Sequence, residues 1–147
     1  MKNLVSPLIT VLILLAGFTA SAQKTEVFAP SGIALNGYDV VEFYNQKQVK
    51  GDSVFVTEWK NVKWLFVSAA NLEAFKKSPQ QYEPQYGGWC AYGASRGYKA
   101  PTQPDTWAII NNKLYFNYNL KVKDSWDKNR QVYIDSANVK WPTFKNN

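Results

Sequence analysis

The sequence predicts an α+β domain, a small antiparallel sheet of hairpins with short helices packed on it, and three observations carry that expectation. Two pairs of β-branched and aromatic runs flank the two-residue turns Lys60-Asn61 and Asn111-Asn112, the pattern of hairpins. Other segments place apolar residues at helical spacing behind capping residues. Aromatic residues make up 16% of the 147-residue chain, and each interior ring buries on the order of 150 to 250 Å². A core is therefore within reach without a disulfide, which a single cysteine cannot form inside one chain.

Residues 1–22 read as a secretory signal. Lys2 gives a positive start, residues 8–18 are an apolar run, and Ala20-Ser21-Ala22 is a small-x-small cleavage site before Gln23. The run is shorter than the roughly 20 residues that span a bilayer. The expectation is an exported protein, periplasmic or extracellular, with no stable membrane insertion after cleavage. Residues 23–32 read as a surface leader, and residues 33–147 as one domain.

Within that domain, Asn36-Gly37 is turn chemistry and presents Tyr38-Asp39 before residues 40–44, a strand or a tight helical turn. Residues 53–59 alternate as a strand, and residues 62–67 return as its hairpin partner. Ser68 caps a helix through Phe75 that ends at Lys76-Lys77, and Ser78-Pro79 starts one further turn over residues 80–83. Residues 89–95 form a short helix ended by Gly97. Residues 107–110 and 114–118 make the second hairpin. A helix over residues 120–129 follows, and a last turn over residues 136–141 stops at Pro142.

Composition excludes several activities. The chain has no histidine, which removes the commonest general base and imidazole ligand. Seventeen basic side chains against eleven acidic ones are interspersed along the chain, so no phosphate-tracking stripe forms and nucleic acid is not an expected partner. Gly87-Gly88 lacks the third glycine and the lysine of phosphate and dinucleotide loops. A serine nucleophile would lack its histidine.

The strongest local signal is Tyr86-Gly87-Gly88-Trp89-Cys90-Ala91-Tyr92-Gly93, which holds the only cysteine. A thiol at a helix start gains thiolate character and suits soft metals or redox chemistry; an unpaired cysteine is also among the most buried residue types. Both readings stay open for Cys90. The glycine pair permits close approach by another molecule. Tyr38 and Asp39 could orient a ligand, or Asp39 could simply cap the next element. Asn117 and Asn119 flank Tyr118, where strand alternation would aim both amides to one side.

Taken together, Val62-Lys63-Trp64-Leu65-Phe66-Val67-Ser68, Phe75 and Pro79-Gln80-Gln81-Tyr82 resemble the YHS domain family. Gly37-Tyr38-Asp39-Val40-Val41, Tyr86-Gly87-Gly88-Trp89-Cys90-Ala91, Lys113-Leu114-Tyr115-Phe116-Asn117-Tyr118 and a late Trp141-Pro142 are similar to its exported, stand-alone branch. The resemblance implies metal handling, with paired cysteines as ligands near the domain start and at a strand-to-helix junction. Those places hold Val40-Val41 and Val67 here, with Asn71 further on. One cysteine and no histidine cannot complete a four-donor thiolate site.

The expected function is thus an exported, non-catalytic binding module for a small ligand or a soft metal ion, with no cofactor named. Its candidate ligand-binding residues are Tyr38, Asp39, Tyr86, Trp89, Cys90, Tyr92 and Asn117, with Cys90 as the metal contact. A structural or protein-interaction domain with Cys90 buried, and a single-cysteine redox enzyme, are the alternatives.

Overall fold

Both hairpin turns place two consecutive non-glycine residues at positive φ: Lys60 at 53° and Asn61 at 61°, Asn111 at 50° and Asn112 at 58°. That backbone matches the right-handed twist of the strands it joins. The computed structural model describes residues 25–147, so the expected signal lies outside the described residues. Strand β1 (Asp52–Trp59) pairs antiparallel with β2 (Val62–Phe66), in register from Trp59 opposite Val62 to Val56 opposite Leu65 and irregular towards Asp52. Strands β3 (Ala108–Ile110) and β4 (Lys113–Tyr115) form a second, separate two-stranded sheet. The class is α+β, with two small sheets where one was expected.

Six α-helices accompany them among the described residues. Helix α1 (Val40–Tyr44) is capped by Asp39, which takes the Val41 N–H at 2.8 Å. Helix α2 (Ala69–Lys77) is capped by Ser68, whose Oγ accepts from the Asn71 N–H at 3.1 Å. Proline opens α3 (Pro79–Tyr82), where its missing N–H costs nothing. Helix α4 (Ala91–Arg96) ends on Gly97 at φ 90°. Asn119 caps α5 (Leu120–Lys128) by accepting from Val122 N–H at 2.9 Å, and α6 (Arg130–Phe144) closes the chain.

Three expectations need correction. The last helix starts at Arg130 and carries Pro142 inside its final turn, rather than stopping there. Near a helix end a proline forfeits only one backbone bond, and Lys145 N–H still reaches the Trp141 carbonyl at 3.0 Å. Strand β4 ends at Tyr115, so Asn117 and Asn119 are not a same-side pair: the first is buried and the second is a helix cap. The leader is not superficial either. Val27 and Phe28 are 1% and 7% exposed, because an apolar pair beside the glycine turn removes more surface from water inside than outside.

The core has two parts, and β4 lies between them. Leu114 and Phe116 join Phe43, Trp64, Phe66 and Phe75 on one side; Tyr115 joins Tyr86, Trp126 and Ile134 on the other. Alternation along an extended chain sends neighbours to opposite faces. Strand β4 and the residue that follows it therefore feed both clusters.

The first cluster encloses a carboxylate. Asp39 is wholly buried, and besides capping α1 it accepts from Val67 N–H and from Asn71 Nδ2, each at 2.8 Å. This explains why β2 stops before Val67: that N–H turns to Asp39. Asp39→Ala would leave these donors unmet inside the protein, and urea denaturation is expected to show a loss of about 3 kcal/mol or more. Ser68→Ala, the loss of one cap at a half-buried site, is expected to cost about 1 kcal/mol by the same measurement.

Candidate functional site

Cys90 stands at the N-terminal boundary of α4 and caps it with sulfur. Sγ accepts from Gly93 N–H at 3.4 Å and donates to Asn117 Oδ1 at 3.6 Å. Its backbone is pinned on both sides, with Cys90 N–H on the Ala100 carbonyl at 3.0 Å and Ala91 N–H on the Phe116 carbonyl at 2.9 Å. The residue is 1% exposed. Burial pushes the thiol above its ordinary value of 9.0, and the amides of Gly93, Tyr118 and Tyr92 draw it back only in part. At neutral pH this is a thiol, whereas the nucleophile and metal ligand is the thiolate.

Asn117 holds this corner together. Its Oδ1 also accepts from Tyr92 N–H at 3.2 Å, and its own backbone N–H donates to Thr106 Oγ1 at 2.8 Å while that hydroxyl donates to the Asn117 carbonyl at 2.8 Å. With the oxygen turned to sulfur and amide, Asn117 Nδ2 is buried without a hydrogen-bond partner. Such an orphan costs about 1 to 3 kcal/mol, so the acceptor role outweighs it.

The glycine pair explains itself next. A Cβ on Gly87 would stand 1.9 Å from the Glu26 carbonyl oxygen, and Gly87 has φ 62°. The molecule that approaches here is the chain's own N-terminal strap. Phe28 N–H donates to the Gly87 carbonyl at 2.8 Å, and Phe28 packs edge-on to Trp89 with centroids 5.0 Å apart. Trp89 Nε1 donates to the Thr25 carbonyl at 3.2 Å.

The candidate residues therefore separate. Cys90, Asn117 and the Tyr92 backbone meet; Trp89 serves the strap. Tyr86 points the other way, its hydroxyl donating to Asn138 Oδ1 at 3.0 Å, with burial and the Tyr115 and Asp135 neighbours raising its pKa. The Tyr92 side chain accepts from Arg96 Nη2 at 3.0 Å. Tyr38 and Asp39 make their contacts in the first cluster, where Tyr38 lies 6.5 Å from Phe43 between ring centroids. No protein-family model, curated protein or solved structure matches the chain.

Among the described residues no three cysteine, histidine, aspartate or glutamate side chains gather as a metal would require. Where the resemblance places thiolate ligands there is a closed polar trio: Asn71 Nδ2 donates to both Asp39 Oδ2 and Glu42 Oε1 at 2.8 Å.

Two residues that sequence reading passed over organise the open surface. Lys99 is 8% exposed and donates to the backbone oxygens of Thr25, Lys145 and Asn147 at 3.1, 2.6 and 3.0 Å, tying strap to C-terminal helix. Lys60 bridges Glu26 and Glu83, both at 2.8 Å. Only its place in a hairpin turn marked it in the sequence. Around this triad lies a groove of about 180 Å³ lined by Glu26, Lys60, Glu83, Gln85, Tyr86 and Trp141, among others. Burial works to raise Glu26, yet the Lys60 bond and charge, with Lys145 and Lys99 beyond, take it below its ordinary value. Burial would lower Lys60, yet its two carboxylate partners raise it.

A sealed thiol has a measurable signature. A disulfide reagent is expected to modify Cys90 only at the rate of unfolding, whereas an unfolded control reacts at once. The pH dependence follows in sign: below 9.0 the thiol is neutral folded and unfolded, and above it the unfolded thiol ionises first, so stability falls as pH rises. Tyr44, pushed up by burial from 10.0 to about 12, adds to the loss from pH 10 upward. Cys90→Ser is expected to remove the earliest part of that alkaline decline in melting temperature.

Proposed function

We propose that the chain is an exported, non-catalytic binding module of YHS type, and that it takes a small polar ligand bearing an amine in the groove beside Tyr86 and Gly87. The observation that carries the reading is the groove's charge and wall. Two carboxylates face one ammonium among the lining side chains, with Lys99 and Lys145 beyond Glu26, next to the Trp141 ring and the Gln85 and Asn138 amides. Such a mixture of one aromatic face and a few fixed polar groups is how small-molecule sites orient their ligands. Cys90 is a structural group in this reading, because amides are its polar partners and its thiol stays protonated.

A second reading, a structural or protein-interaction domain, is favoured by the apolar side chains that β1 holds in solvent, Val54 at 75% and Val56 at 40% exposed. Titration followed by nuclear magnetic resonance separates the two. Glucosamine is expected to shift the Trp141 indole and Asn138 side-chain signals saturably, with glucose weaker by about tenfold for want of the charge. Signals that stay still at the groove with both sugars would sink the small-ligand reading and leave the interaction domain.

A further inference from the structure

Away from that groove, the C-terminal end of α4 meets the middle of α6 around a second hollow of about 220 Å³, lined by Ser95, Arg96, Val132, Tyr133, Ser136 and Lys140. Its charge is of one sign. The lining contains two cations and no carboxylate, and neither Arg96 nor Lys140 takes part in an ion pair among the described residues. The nearest acid along α6, Asp135, is held by Gln131 Nε2 at 2.7 Å.

Both cations are exposed, and each is steered by one hydrogen bond. Arg96 lies over the Tyr92 ring at 5.1 Å from its centroid and donates to the Tyr92 hydroxyl at 3.0 Å, while Tyr92 itself packs on Tyr133 with centroids 5.1 Å apart. That leaves the rest of a rigid guanidinium fork for a partner, and such a fork matches two oxygens of a carboxylate or phosphate at once. Lys140 is steered by the Ser95 carbonyl at 2.9 Å, which also accepts from Ser136 Oγ at 2.9 Å.

The rest of the wall is mixed, the serines Ser95 and Ser136 beside two larger side chains. Tyr133 borders the hollow, and Val132, 66% exposed, stands at its edge. The volume falls below the roughly 300 to 1,000 Å³ of sites for drug-sized ligands, so the occupant is small.

We propose that this hollow is a second binding site, taking a small organic oxyanion, a carboxylate or phosphate monoester on an aromatic or aliphatic body. It is independent of the amine-binding groove.

The test titrates the folded chain with phenyl phosphate, benzoate, inorganic phosphate and benzyl alcohol at fixed ionic strength, reading Arg96 Nε–H, Ser136 and Gly97 by magnetic resonance. Phenyl phosphate or benzoate is expected to give saturable shifts there, whichever is tighter naming the source of the oxyanion. Arg96→Gln, at an exposed position that leaves the fold intact, is expected to weaken that binding about tenfold. Equal response to benzyl alcohol, no saturation, equal affinity for inorganic phosphate, or unchanged affinity in Arg96→Gln would each overturn the proposal.

Discussion

The backbone of Glu26 lies against Gly87 more closely than any side chain at that position would allow, and much of the structure hangs on this contact. A non-glycine residue at position 87 would meet the Glu26 oxygen at 1.9 Å and the Val27 Cα at 3.0 Å. Because the contact is allowed, Val27 and Phe28 enter the core, Trp89 finds both an acceptor and a ring partner in the strap, and Lys99 and Lys60 can clasp the strap from two sides. Lys60 and Glu26 pair along the groove's wall. A glycine pair that reads as an opening for another molecule is here an opening for the chain itself.

The same closure decides what Cys90 can do. Sulfur replaces oxygen as the acceptor at a helix start, and Asn117 Oδ1 accepts the S–H. The surroundings thus favour the neutral form twice, by excluding water and by offering an acceptor for S–H. Asp39 is met by three N–H donors, from the Val41 and Val67 backbone and the Asn71 side chain, so its buried oxygens are not left unpaired. The side chains that meet these two groups, Asn117 and Asn71, are amides, which do not relay protons near neutral pH.

Much of the fold was legible because local chemistry governed it. Ser68, Gly97, Pro79 and the two hairpin turns act within a few residues of themselves, so spacing alone located α2, α3, α4 and both hairpins. What escaped depends on distant contacts. Pro142 misled because its position relative to a helix end, not its presence, sets its cost. Residues 27 and 28 carried no period, yet the hole above Gly87 draws them in from about sixty residues away in sequence. Of the candidate residues, Cys90, Asn117 and the Tyr92 backbone meet in the structure, while Tyr38 and Asp39 belong to another cluster. The contacts of Lys60, Lys99 and Asn71 were not legible, since a lysine read one at a time looks like solvated surface and an asparagine behind a serine cap looks like helix.

The contact between strap and glycine is tested most directly by the stability of Gly87→Ala, followed by urea denaturation with Trp89 exposure as the companion signal. A single methyl there must displace the strap backbone and also occupy a positive φ, so the loss should reach about 3 kcal/mol or more, with a red-shifted tryptophan emission before global unfolding. A variant within about 0.5 kcal/mol of the parent, the range of an ordinary surface substitution, with unchanged emission, would contradict the strap's place in the fold.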